Sequence, residues 1–77
     1  PNPVTVSIKP DGSFFVDDNP ANKGELEKII VDKLTGQTNQ SFTIRADENT
    51  LHKDVVFVME IAEKHKFNIA IATVKDK

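Results

Sequence analysis

The chain has no cysteine, no tryptophan and no tyrosine, and holds only three glycines. Without cysteine, neither a disulfide framework nor a thiolate metal site supplements the core, and no thiol pattern marks a redox compartment. Without tryptophan or tyrosine there is no broad platform on which nucleobases stack. An excess of one charge is also lacking: 10 Lys and Arg against 12 Asp and Glu give a net charge of −2. Acids and bases are interspersed, which excludes the clustered basic face of a nucleic-acid binder. No apolar run reaches the ~18 residues that would cross a bilayer. Neither an activated serine or cysteine nor a glycine-rich phosphate loop is present. The two histidines, His52 and His65, have no second ligand at i+3 or i+4, against a zinc-type helix. What remains is a non-catalytic protein without cofactor or metal.

At 77 residues the chain is one domain, 1–77, near the size at which a single core gives marginal stability. It starts at Pro1 without a methionine, so the expectation is an excised fragment or processed product carrying no targeting segment.

Val4, Val6 and Ile8 alternate with Thr5, Ser7 and Lys9, the period of a strand with one inner face. Pro10-Asp11-Gly12-Ser13 predicts a turn, and Phe14-Phe15-Val16 a returning strand. Asp17, Asp18, Asn19 and Pro20 are expected to stop it, since proline has no ladder donor. Asn22 and Glu25 have the spacing of a reciprocal capping box ahead of a helix buried through Leu26, Ile29, Ile30 and Leu34, with Gly36 closing it.

The stretch from Phe42 to Thr73 reads as strand, helix, strand. Phe42, Ile44 and Ala46 form an inner face, and Thr50 is placed to cap a helix whose Leu51, Val55, Val58, Met59 and Ala62 share one side. The helix is expected to end near Lys66. Asn68 to Val74 is apolar on both faces and reads as a well-covered strand. Strand, crossover helix and strand close as a right-handed parallel unit. The expected fold is α+β, a two-layer sandwich ordered strand-strand-helix-strand-helix-strand, with both helices on one face of a mixed sheet.

Paired acids at Asp17-Asp18 and Asp47-Glu48 fall in turns, where water keeps both ionised, so general acid and base work is not indicated. Arg45 and Asp47 project from the wet face of one strand. Asp47 suits closing the strand end, while Arg45 is open between a surface ion pair and a charged partner contact. Phe57 and Ile61 fall away from the main apolar face of their helix and need a neighbour, either the first helix or a homodimer or partner patch. In the last strand Ile69, Ile71 and Thr73 share one face. Ala70, Ala72 and Val74 form a flat strip on the other, suited to self-association or to addition of an extended peptide. His52 in the first turn and His65 in the last turn read as ordinary helix-end residues.

Three runs carry a resemblance: Ile44-Arg45-Ala46-Asp47, then Val55-Val56 with Val58-Met59-Glu60, then Ile69 to Thr73. Together with Val6 to Val16, Asn19-Pro20 and the helix containing Leu26, they resemble the ExbD/TolR family, closer to ExbD, over nearly the whole chain. Two positions depart from its pattern: His65-Lys66 where Ala-Gly is common, and His52 where tyrosine is common. The resemblance implies the periplasmic domain of a bacterial inner-membrane protein, without the transmembrane helix that bears the proton-coupling aspartate. It implies an ExbB-like channel protein as a partner through that helix, and a TonB-like protein that energises outer-membrane import. Recognition would run along the edge of the first or last strand, with Val4, Val6, Arg45, Phe57, Ile61, Ala70, Ile71, Ala72 and Val74 as candidate contacts, in a homodimer. A TolR-like domain contacting peptidoglycan is the alternative within the family, and a free-standing structural or regulatory module the alternative outside it.

Overall fold

The computed structural model describes residues 4–74. Its elements are β1 (Val4–Ile8), β2 (Phe14–Val16), β3 (Asn19–Ala21), α1 (Lys23–Leu34), β4 (Ser41–Asp47), α2 (His52–His65) and β5 (Asn68–Val74). They form one mixed sheet in the order β3-β2-β1-β4-β5. β1 pairs antiparallel with β2 and parallel with β4, and β5 runs parallel to β4 with Phe42 opposite Ile69 and Ile44 opposite Ile71. Val4, Val6, Ile8, Phe42 and Ile44 of the sheet meet Leu26, Ile30, Leu34, Val58, Ile61 and Ala62 of the helices in one core. Full burial contributes about 1.5–3 kcal/mol for each large aliphatic side chain before the entropy of ordering it. The alternation in β1 and β4 thus selects the face on which both helices lie.

The first turn forms as its residues demand. Asp11 Oδ1 accepts from the Ser13 N–H at 2.9 Å, and Gly12 takes a φ of 91°. The second departs from expectation. Asp17 and Asp18 do not end the antiparallel pairing; with φ of 50° and 71° they make a tight two-residue turn that matches strand twist. Asp17 Oδ1 also accepts the Thr5 N–H at 3.0 Å, so side-chain bonding offsets the left-handed backbone. A further strand, β3, follows. Pro20 is tolerated there because β3 is an edge, and opposite Phe15 its nitrogen points away from β2.

Two expected caps also differ. Asn22 precedes α1, but its side chain makes no cap bond to the backbone and donates to Glu25 Oε1 at 3.4 Å. Thr50 does not cap α2; its hydroxyl donates to the Ile8 carbonyl at 3.0 Å and ties the loop to β1, while Leu51 takes the cap position. Leu51 and Met59 are exposed, not buried as their spacing suggested. At the other end α2 closes on Lys66 in the left-handed region, φ 60° and ψ 37°, with the Phe67 N–H returning to the Ala62 carbonyl at 2.8 Å. The turn that a glycine makes most readily is made here by lysine.

β5 is an edge strand and not a covered one. Helices pack about 8–10 Å apart and strands about 4.8 Å, so two helices cover about four strands and this sheet has five. Both edges overhang the helical layer.

Candidate functional site

The two edges differ in what they offer. β3 is three residues long and carries Pro20 in its middle, which removes a backbone donor. β5 is seven residues long, and its sequence, Asn-Ile-Ala-Ile-Ala-Thr-Val, has neither proline nor charge. Native sheets ordinarily blunt such an edge, because its outward N–H and C=O groups are a template for another strand. This one is left unblunted among the described residues.

Beside that edge lies an apolar groove of about 390 Å³ between α2 and β5. Val56, Met59, Phe67 and Ile69 line it, and Glu60 and Glu63 flank it. The helical contribution has a simple origin. Residues 56, 59, 60 and 63 are spaced i, i+3, i+4, i+7, so they form a stripe beside the buried one. Ile71, next along β5 on the same face as Ile69, is 51 % exposed although it points toward the helical layer. Half of a large aliphatic side chain in water on an unpaired edge is the clearest sign of a surface meant to be covered.

The candidate contacts named from the sequence divide sharply. Val4 and Val6 are buried in β1, which has neighbours on both sides, so the first strand offers no edge. Ile61 is buried in the core. Phe57 is half-buried, its ring centroid 6.0 Å from that of Phe14 and with Lys23 Nζ 4.8 Å above its face, so the flank it shares with Ile61 is turned inward to β2 and the start of α1. Arg45 is exposed on the open face of the sheet and makes none of the ion pairs found among the described residues. Ala70 and Ala72 are exposed on that same face, and Ile71 faces the groove side. Val74 pairs with Asp47, and its side chain lies outside the described residues. The structure therefore brings Ile71 and the two alanines together on one edge and separates them from Val4, Val6, Phe57 and Ile61.

Polar groups on the open face are modest. A depression of about 140 Å³ is lined by Ser7, Lys9, Asp18, Arg45 and Asp47, with both signs of charge represented. Asp47 behaves as a strand-end residue, its Oδ1 accepting from the Asn49 N–H at 2.9 Å. His65 Nε2–H donates to Glu27 Oε2, 2.7 Å away, with Lys64 Nζ at 3.2 Å from the same oxygen, so a small polar cluster clamps α2 to α1. The His65 contact, then Lys64, holds the Glu27 carboxyl below its ordinary range. No cluster of three or more metal-binding side chains occurs among the described residues, and no described helix is long and apolar enough to cross a membrane.

Val56, Met59, Glu60, Glu63, Phe67 and Ile69 were not among the candidate contacts named from the sequence, which placed Met59 on the buried helix face and Ile69 on one face of the last strand. The available signal was the second helical stripe; its meaning depends on β5 being an edge, which no local pattern encodes.

The described residues form a small α+β domain with an apolar core and one long unblunted strand edge. The family model for biopolymer transport protein ExbD/TolR matches residues 1–76, and the chain belongs to that family. Its members are non-catalytic components of biopolymer transport that work with partner proteins. Among curated proteins, none matches the chain.

Proposed function

We propose that the chain is the periplasmic domain of an ExbD-like component of a proton-motive-force-driven complex, and that it captures an extended segment of a TonB-like partner along β5. The single observation that carries this reading is the half-exposed Ile71 on a seven-residue edge without proline or charge. An added strand gains backbone hydrogen bonds along the edge, and every second side chain falls into the groove over Met59. The same edge can serve a homodimer. In the full protein an ExbB-like channel protein would engage a transmembrane helix.

The TolR-like alternative, contact with peptidoglycan, needs a polar groove. The depression at Arg45, at about 140 Å³, is below the ~300–1,000 Å³ of ordinary small-ligand sites, whereas a second polar one of about 350 Å³, lined by Ser13, Asn22, Lys23 and Glu25 beside Phe14 and Pro20, is within that range. The unblunted edge with Ile71 half in water favours strand capture over either. The test is an NMR titration of isotopically labelled chain with a peptide from the periplasmic linker of the cognate TonB-like protein, and separately with peptidoglycan fragments. Peptide-specific shifts over Asn68–Val74 and Met59 support the proposal; shifts with the glycan alone, at Ser7, Lys9 and Arg45 or at Ser13, Asn22 and Lys23, transfer it to the TolR-like role.

A further inference from the structure

Along the groove the chemistry of α2 changes. Toward its N-terminal side the groove-lining stripe presents Val56 and then Met59, and toward its C-terminal side Glu60 and Glu63. Both glutamates are exposed, and neither has an ion-pair partner among the described residues. Of the neighbouring charges, Lys64 is engaged by Glu27, Asp54 is buried, and Lys53 and Lys66 are outside the groove lining. Among the described residues the groove therefore has an apolar floor and an acidic rim without an ion-pair partner, and the polarity has a direction. β5 begins just after α2 ends, with Phe67 bonded back to Ala62, so the Glu63 end of the groove lies at the start of β5 and the Val56 end further along it.

From this we infer that the segment held at β5 is selected by residue type: it carries a lysine or arginine at a groove-facing position near Asn68 and Ile69, and an aliphatic side chain two residues away, near Ile71. The inference rests on the strand-capture reading above and adds the chemistry of the occupant. Strand geometry enforces the spacing, because only alternate residues of an added strand face the helical side, and same-face neighbours lie about 6.5–7 Å apart. A long basic side chain lays its aliphatic stem along Phe67 and Ile69 and delivers its charge to Glu60 and Glu63. An acidic residue at the same place meets two like charges. Within Asn68–Val74 there is no basic residue, so a second copy paired over these positions alone offers the rim no cation.

The test uses blocked peptides of about seven residues, the length β5 can pair, with valine at groove-facing positions and threonine between them. One groove-facing position is lysine, glutamine or glutamate. Affinities for the chain are measured by fluorescence anisotropy at low salt. Two exposed pairs predict about threefold to tenfold tighter binding of the lysine peptide than of the glutamine peptide, and weaker binding still of the glutamate peptide. Raising the salt compresses the series. In the double variant Glu60→Gln, Glu63→Gln the series collapses, and in Glu60→Lys, Glu63→Lys it inverts; both substitute exposed side chains, and circular dichroism verifies their fold. Equal binding of all three peptides to the unmodified chain overturns the inference and leaves strand capture standing. Absence of binding by any peptide overturns both. A chain dimer that each peptide dissociates equally, whatever its charge, gives the groove to a second copy and also overturns the inference.

Discussion

Lys66 occupies the residue that closes α2, at φ 60° and ψ 37°, and replacing it with glycine is expected to stabilise the domain. A side chain with a Cβ in the left-handed region costs about 1–2 kcal/mol, whereas glycine adopts it freely. Against this stand two smaller terms. Glycine loses more backbone entropy on folding, about 0.5–1 kcal/mol, and a lysine near a helix C-terminus contributes about 0.3–1 kcal/mol through the helix dipole. The hydrogen bonds from the Lys66 and Phe67 N–H groups to Glu63 and Ala62 do not depend on the side chain and survive. Lys66 is exposed and salt screens the dipole term to its lower end, so the net for Lys66→Gly is a gain of about 0.5 kcal/mol, which in a domain of this size raises Tm by about 2–4 °C. Lys66→Ala separates the contributions, because it loses the charge and retains the strained Cβ, and it is expected to fall at or below the unmodified chain. Thermal melts of the three proteins by circular dichroism decide it. A glycine variant no more stable than the alanine variant would refute the account of how this helix ends.

Asp54 is 4 % exposed, and its Oδ2 is buried without a hydrogen-bond partner among the described residues, 3.8 Å from where a side chain on Gly12 would begin. Asp54→Ala removes an uncompensated polar group, so urea unfolding is expected to show a gain of about 1 kcal/mol; a loss would mean the carboxylate is held by a bound water. Glu27 has its carboxyl pKa lowered, by the His65 contact first and Lys64 second, from an ordinary value of 4.5. Lowering in the folded state means that its contribution is present above the ordinary value and disappears as pH falls through the lowered one. Urea midpoints of the unmodified chain and Glu27→Gln are therefore expected to differ near neutral pH and to converge in acid, and a difference that persists in acid would assign the effect to packing.

Much of the fold was legible because its signals are local. Alternation in Val4–Ile8 and Phe42–Ala46 names the inner face of two central strands, and Leu26, Ile30 and Leu34 name the inner face of α1. The misreadings share a cause, which is that tertiary placement overrides local chemistry. Pro20 signals a strand stop in isolation, yet at an edge its missing N–H costs nothing. Asn68–Val74 has the composition of a buried central strand and lies at the border, because the crossover through α2 adds it outside β4 and no described strand pairs beyond it. That edge position leaves Ile71 in water and makes Val56, Met59, Glu60 and Glu63 the wall of a groove. Thr50 suits a cap by residue type, but the nearer acceptor is the Ile8 carbonyl across the loop.

The central claim is that the β5 edge is a partner surface, and Ile71→Glu tests it most directly. The side chain is half in water, so losing its buried half costs about 1 kcal/mol and the domain stays folded. A carboxylate there opposes an incoming apolar side chain. The measurement is a thermal melt of the variant together with its titration against the TonB-like linker peptide. The account predicts a cooperative melt lowered by only a few degrees and lost binding. An unfolded variant would make Ile71 part of the core, and a folded variant that binds the peptide as the unmodified chain does would take the site away from β5.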